Sequence, residues 1–315
     1  MIMITTVKKY LSLVKFAHTI FAMPFALIGF FLALKQISLT QWSLNSTVGW
    51  AKPYVGKHDI LIKFLLVIFC MVFARNAAMA FNRWLDAKFD ALNPRTSVRE
   101  IPAGIITPKN ALLFIIFNCI AFIVCTYFIN TICFYLSPVA LFVVLFYSYT
   151  KRFTSLSHLV LGMGLSLAPI GAYLAVTGKF DLLPILFSFV VLFWVSGFDI
   201  IYALQDEAFD RTNKLKSIPA ALGKKNALRV SEILHLLSAV CVVAAGIYGS
   251  FHWLYWLGVA VFLCLLIYQH ALVKPDNLTK VNVAFFTTNG VASVIFCIFV
   301  LLDLFLNKNI SPLGH

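Results

Sequence analysis

Charge is what this sequence has least of. Charged residues make up 12% of its 315 residues, roughly half the share of a soluble globular domain. Water could not solvate so ion-poor a surface, so a chain built for water is excluded and its solvent must largely be lipid. Paired cysteines are missing too. Cys70, Cys119, Cys125, Cys133, Cys241, Cys264 and Cys297 all lie in apolar runs and none belongs to a CxxC pair, which excludes a zinc cage or a disulfide framework and leaves small buried residues. No cleavable signal peptide is evident. Lys8, Lys9 and Lys15 precede an apolar stretch that leads into further ones, which reads as a first transmembrane helix. No separate soluble domain is visible.

What is present is hydrophobic: 61% of the residues, with 15% aromatic and a mean hydropathy of +0.92. Apolar stretches fall near 16–34, 60–81, 111–130, 133–149, 156–177, 181–204, 229–249, 251–272 and 282–306. They predict an all-α, polytopic membrane protein of nine transmembrane helices, a single domain over 1–315. With the N-terminus in the cytoplasm, 18 Lys and Arg fall in loops on that side and 6 on the other; that bias supports a cytoplasmic N-terminus and an odd number of spans. The net charge of +13 is then accounted for by loops facing anionic lipid headgroups, and no nucleic acid partner is expected.

The two long cytoplasmic loops, roughly 83–110 and 205–228, resemble each other. Ile101–Pro102–Ala103 matches Ile218–Pro219–Ala220, and Lys109–Asn110–Ala111–Leu112 matches Lys225–Asn226–Ala227–Leu228. Four spans separate the loops, so a diverged repeat of four helices, about 16–149 and 156–272, with a ninth helix at 282–306, is expected.

Each loop follows an acidic motif. Asn82, Asp86 and Asp90 are spaced by four and stack along one face of a helix. Hard oxygen ligands at a membrane helix end suit Mg²⁺, which completes its octahedron with phosphate oxygens and water. Arg75 lies seven residues before Asn82, nearly on the same face, and a charge at that depth calls for a carboxylate or an anionic ligand. In the second motif the offsets of Asp199, Asp206 and Asp210 place them within about 40° on a helical wheel, with Tyr202 beside them and Lys214, Lys216 and Ser217 following. Two acidic clusters on one side of the membrane, each followed by cations, are what an allylic diphosphate requires: metal ions on the carboxylates, Arg and Lys on the remaining oxygens, and an apolar bundle beneath for the tail.

These motifs resemble those of the UbiA family of intramembrane aromatic prenyltransferases. "NRWLDAKFD" is similar to the family's first Asp-rich motif, NxxxDxxxD. "DIIYALQDEAFDRTNKLKS" is similar to its second, and "YSYTKRF" at 147–153 to the loop after the fourth span. The resemblance covers essentially the whole chain. It implies nine helices around a central cavity, capped by loops over the Asp motifs. It implies one metal–diphosphate site on Asn82, Asp86 and Asp90 and another on Asp199, Asp206 and Asp210, the metal ligands being Asn82, Asp86, Asp90, Asp206 and Asp210. Lys151, Arg152 and Lys216 match basic positions of the family.

The expected reaction moves a polyprenyl group from its diphosphate to an aromatic acceptor of quinone biosynthesis, with Mg²⁺ as cofactor. Arg75 or Arg83, together with Lys216, would stabilise the diphosphate and Arg152 an acceptor carboxylate. Tyr147 and Tyr202 would face the allylic cation, and the ring proton would go to Asp199 or to the diphosphate. 4-Hydroxybenzoate is the expected acceptor. One departure bears on it: members acting on that acceptor often carry paired acids where this chain has Phe209–Asp210, so a dihydroxynaphthoate is the alternative, and a secondary transporter the alternative from another class. The expected location is a bacterial-type inner membrane, with the active site facing the cytoplasm. His18 is placed at the cytoplasmic mouth of the first span. His158, His235, His252 and His270 are scattered without ligand spacing and read as structural or interfacial.

Overall fold

The computed structural model describes residues 9–14, 22–47 and 57–306. His18 and the start of the first apolar stretch lie outside them. No β-strand occurs among the described residues. The principal helices are α1 (Met23–Thr47), α2 (Lys57–Leu85), α3 (Ala87–Leu92), α4 (Pro108–Ile129), α5 (Thr131–Thr150), α6 (Ser157–Thr177) and α7 (Leu182–Ala203). They continue as α8 (Glu207–Thr212), α9 (Ile218–Tyr248), α10 (Trp253–Leu272) and α11 (Asn289–Leu306). A 3₁₀ turn, Leu204–Asp206, joins α7 to α8, and a π-turn, Val283–Thr288, precedes α11.

Among the described residues eight helices are long and apolar enough to cross a membrane, and the shorter apolar stretch Met23–Ile37 heads α1. That stretch stands where the first of the nine expected spans was placed. The predicted spans and the helices agree closely except at α1, which runs to Thr47 rather than ending near 34, and at α9, which begins at Ile218 rather than near 229. Ser217 caps it by accepting the Ala220 amide at 3.3 Å, Pro219 occupies its first turn, and Gly223 (φ 75°) kinks it. The cap and the proline recruit a polar segment that hydropathy alone assigns to a loop.

Elsewhere the helix ends follow capping chemistry. Thr107 caps α4 ahead of Pro108, Asp181 caps α7, and Gly178 closes α6 in the left-handed region at φ 65°. Asn130 caps α5 through the Cys133 amide at 2.9 Å and donates to Leu174 O at 2.8 Å, which ties the α4–α5 link to the far end of α6.

Helices α6, α7 and α9 form the densest layer, with α1 on α6 and α2 against α4. Small residues allow these approaches. A Cβ on Gly29 would lie 2.0 Å from the Pro169 carbonyl oxygen, and one on Gly162 would lie 2.4 Å from Leu192 O. The core is aromatic: Phe25, Phe187, Trp194, Tyr255, Phe262 and Phe296 are fully buried. Several of its buried polar groups are matched within the bundle. The Trp194 indole donates to Asn289 Oδ1 at 3.0 Å. Asp303, fully buried, accepts the His252 and Tyr255 amides at 3.0 and 3.3 Å at the start of α10.

Candidate active site

The two acidic motifs end α2 and α7 in the same way. At Asp86 (φ −93°, ψ 5°) α2 stops and the six-residue α3 begins; at Asp206 (φ −101°, ψ 2°) the six-residue α8 begins. Across the first break the helical register survives, because Asp86 N donates to Asn82 O at 3.0 Å and Asp90 N to Asp86 O at 2.8 Å. The spacing of four therefore does set Asn82 beside Asp86, and Asn82 Nδ2 donates to Asp86 Oδ2 at 3.3 Å. The second motif departs from its helical wheel. Asp199 and Asp206 lie two helical turns apart, about 10 Å along the axis, with a 3₁₀ turn between them, and they take different partners.

Asp86 is buried and held by two cations from the end of α5. Lys151 Nζ forms an ion pair with it, and Arg152 Nη2 donates to Oδ1 at 3.0 Å and to Leu85 O at 3.1 Å. Asp90, also buried, accepts from Arg99 Nη1 at 2.7 Å, while its Oδ2 is enclosed without a hydrogen-bond partner.

The segment after α3 reaches across to the second motif. Asn93 Nδ2 donates to Asp206 Oδ1 at 3.3 Å and Arg95 Nε to the same oxygen at 3.0 Å; Arg95 Nη2 pairs with Oδ2, and Nη1 donates to the Tyr202 hydroxyl at 3.0 Å. Burial lowers the Arg95 pKa, but the hydrogen bond and charge of Asp206 outweigh it and the net shift is upward. Tyr202 is backed by Phe285 of the π-turn, with ring centroids 4.2 Å apart. Asp210 sits half-buried on α8, within electrostatic reach of Asp206, Lys151 and His158.

Two basic residues face elsewhere. Arg83 turns to Glu100 at 3.7 Å, both buried, and so braces the loop over the first motif. Lys216 donates from its side chain to Phe153 O at 3.0 Å and from its amide to Lys151 O at 2.7 Å, fastening the second loop to the 151–153 turn.

Beneath the acids lies a cavity of about 380 Å³ between α2, α4, α5 and α6. Its wall is overwhelmingly apolar; Arg75 is its charged residue and Tyr147 its tyrosine. Arg75 Nε is buried without a hydrogen-bond partner, and Tyr147 stands close enough to Asp199, Asp86 and Arg75 to feel their charges.

The sequence reading missed four participants. Asn93, Arg95 and Arg99 figured there only as part of a loop. His158, read as structural or interfacial, places Nδ1 at 2.7 Å from Asp199 Oδ2. The available signal for Arg95 and Arg99 was their position five and nine residues after Asp90, on a loop that shares its acidic lead-in with the second motif.

The model of the UbiA prenyltransferase family matches residues 22–291. A 4-hydroxybenzoate octaprenyltransferase of Tolumonas auensis is 30% identical over 258 residues, covering 82% of this chain and 87% of that protein. The enzyme of the same name from Francisella tularensis subsp. mediasiatica is 29% identical over 238 residues, covering 75% and 84%. Among solved structures, a UbiA homolog from Aeropyrum pernix K1 superimposes with a TM-score of 0.77 at 28% identity, covering 91% of this chain and 98% of that one. A UbiA homolog from Archaeoglobus fulgidus bound to GPP and Mg²⁺ shares the fold, with a TM-score of 0.68 at 18% identity and coverage of 94% and 99%.

Proposed function

We propose that this chain, which belongs to the UbiA prenyltransferase family, transfers a polyprenyl group from an allylic diphosphate to 4-hydroxybenzoate in quinone biosynthesis. The observation that carries the reading is the set of ionised pairs over the cavity. Asp86, Asp90 and Asp206 each face a Lys or Arg at one end of an apolar chamber whose own cation, Arg75, has an unmatched Nε. A diphosphate with its metal ions brings both signs of charge and can exchange with these pairs, cation for cation and anion for anion.

The residues fit Mg²⁺. Mg²⁺ binds through one or two carboxylates, with phosphate oxygens and water completing its shell. The enclosed, unpartnered Asp90 Oδ2 is a hard donor of the right kind. Asn82, Asp86, Asp90, Asp206 and Asp210 would hold the metal, which supplies positive charge to the departing diphosphate. Lys151, Arg152, Arg95 and Arg99 then bind and orient the freed phosphate oxygens. Arg75 receives an anionic group at the top of the cavity, the apolar wall stores the tail and keeps water from the allylic cation, and Tyr147 on that wall presents its ring to it, while Tyr202 stays packed between Phe285 and Arg95.

The chain reads as one domain over 1–315 with a diverged four-helix repeat, supported by the like geometry at Asp86 and Asp206. The count of basic residues supports an active site facing the cytoplasm of a bacterial-type inner membrane.

The test is an assay of purified protein with Mg²⁺, a radiolabelled polyprenyl diphosphate and, in parallel, 4-hydroxybenzoate or a dihydroxynaphthoate. A prenylated benzoate, lost with EDTA, is the expected result. Product only from the naphthoate would move the acceptor to the alternative that Phe209 favours. Metal-independent solute uptake with no product from either would replace the enzyme reading by transport.

A further inference from the structure

We infer that His158 is a positioning residue that makes Asp199 the acceptor of the ring proton; the inference rests on the prenyl-transfer reading above. Aromatic substitution leaves one proton to dispose of. The acceptor's ring carbon forms a bond to C1 of the prenyl group as the C1–O bond breaks, its electron pair leaving on the diphosphate. The C–H pair then returns to the ring and the proton needs a base.

Five site carboxylates can be compared by the partners they already have; Asp210, hydrogen-bonded by Ser217 and within reach of the Lys151 charge, is among the proposed metal ligands. Asp86 faces Lys151 and Arg152, Asp90 faces Arg99, and Asp206 faces Arg95. A permanently cationic partner stabilises the ionised carboxylate and weakens it as a base. Asp199 faces an imidazole instead, at 2.7 Å. His158 is buried and its Nε2 is enclosed without a hydrogen-bond partner. Against an ionised carboxylate, which only accepts, Nδ1–H donates to Asp199 Oδ2. The contact fixes the carboxylate's rotation with a group that, unlike Lys or Arg, is not permanently cationic, and it leaves Oδ1 to take the ring proton.

Placement agrees with this role. Asp199 lies on α7 one turn before Tyr202, and the Asp199 side chain keeps 22% exposure. Its charge reaches Tyr147 on the cavity wall, where Arg75 also stands. One turn beyond His158 on α6, Leu161 lines the same cavity. The pair thus sits where the apolar chamber meets the acidic motifs.

The experiment measures kcat and KM of wild type, His158→Ala and His158→Asn, with 4-hydroxybenzoate carrying hydrogen or deuterium at the ring positions beside the hydroxyl. Asn keeps an N–H donor close to the place of Nδ1. For His158→Ala the expected result is a kcat lower by about 10–100-fold, an unchanged KM for the prenyl diphosphate, and a primary isotope effect absent from wild type, because proton removal becomes rate-limiting. His158→Asn is expected to restore kcat and suppress the isotope effect. A structural role alone would move yield or thermal stability but would not create an isotope effect. Wild-type kcat in His158→Ala, or a loss of rate with no isotope effect, overturns the inference while leaving prenyl transfer in place; no product from the wild-type protein overturns both.

Discussion

Replacing Asp86 by Asn keeps the shape of the side chain and one oxygen acceptor, and removes only its charge. Two effects then compete. In the resting protein Lys151 and Arg152 lose their counter-charge, and breaking a fully buried ion pair from one side costs about 3–5 kcal/mol. Here, however, the two cations retain 29% and 22% exposure of their side chains. They can turn to water, so the cost falls toward the ~1 kcal/mol of a solvated pair. The fold should therefore survive: size-exclusion behaviour in detergent should match wild type and the melting temperature should fall only slightly. In turnover nothing replaces the charge, because it is needed against the metal and the leaving group in a site shielded from water. Removing one preorganised electrostatic contact of that kind costs about 10²–10³-fold in rate. The assay is transfer of label from polyprenyl diphosphate across a Mg²⁺ titration, with half-saturating Mg²⁺ expected to rise and kcat to fall. Wild-type turnover at wild-type Mg²⁺ demand would refute the assignment of Asp86. Loss of fold would refute the solvation argument.

Further perturbations separate the cap, the packing and the buried acid. Arg95→Ala releases both Asp206 and Tyr202; the loss of charge-assisted hydrogen bonds worth about 1.5–3 kcal/mol should lower kcat/KM by about 10–100-fold in steady-state kinetics. Gly29→Ala drives a Cβ to 2.0 Å from the Pro169 carbonyl oxygen, and such overpacking should cost about 1–3 kcal/mol, read as a lower melting temperature in detergent. Asp303→Ala strips the His252 and Tyr255 amides of their acceptor. At about 1–3 kcal/mol for each unsatisfied amide, it should lower thermal stability while leaving kcat unchanged at low temperature, since Asp303 caps α10 and stands apart from the acidic motifs.

How much of this was legible in the sequence depends on whether a feature is local. Apolar runs place helices because lipid leaves a backbone few other ways to satisfy its hydrogen bonds, and spacing by four places Asn82 beside Asp86 because their helical register runs through the break. Partners across the bundle follow no such rule. Arg95 meets Asp206, and His158 meets Asp199, because a loop folds back and α6 packs on α7; neither pairing leaves a periodic trace. The second motif shows where local reasoning stops. A wheel through Asp199, Asp206 and Asp210 shows angle but not height: Asp206 lies two turns, about 10 Å, beyond Asp199, past the 3₁₀ turn Leu204–Asp206. That separation leaves Asp199 to an imidazole on α6 while Asp206 meets the loop after α3. Two residues that looked equivalent on the wheel thus have different partners and different chemistry: Asp206 bound to an arginine that a diphosphate can draw away, Asp199 bound to a buried imidazole on α6.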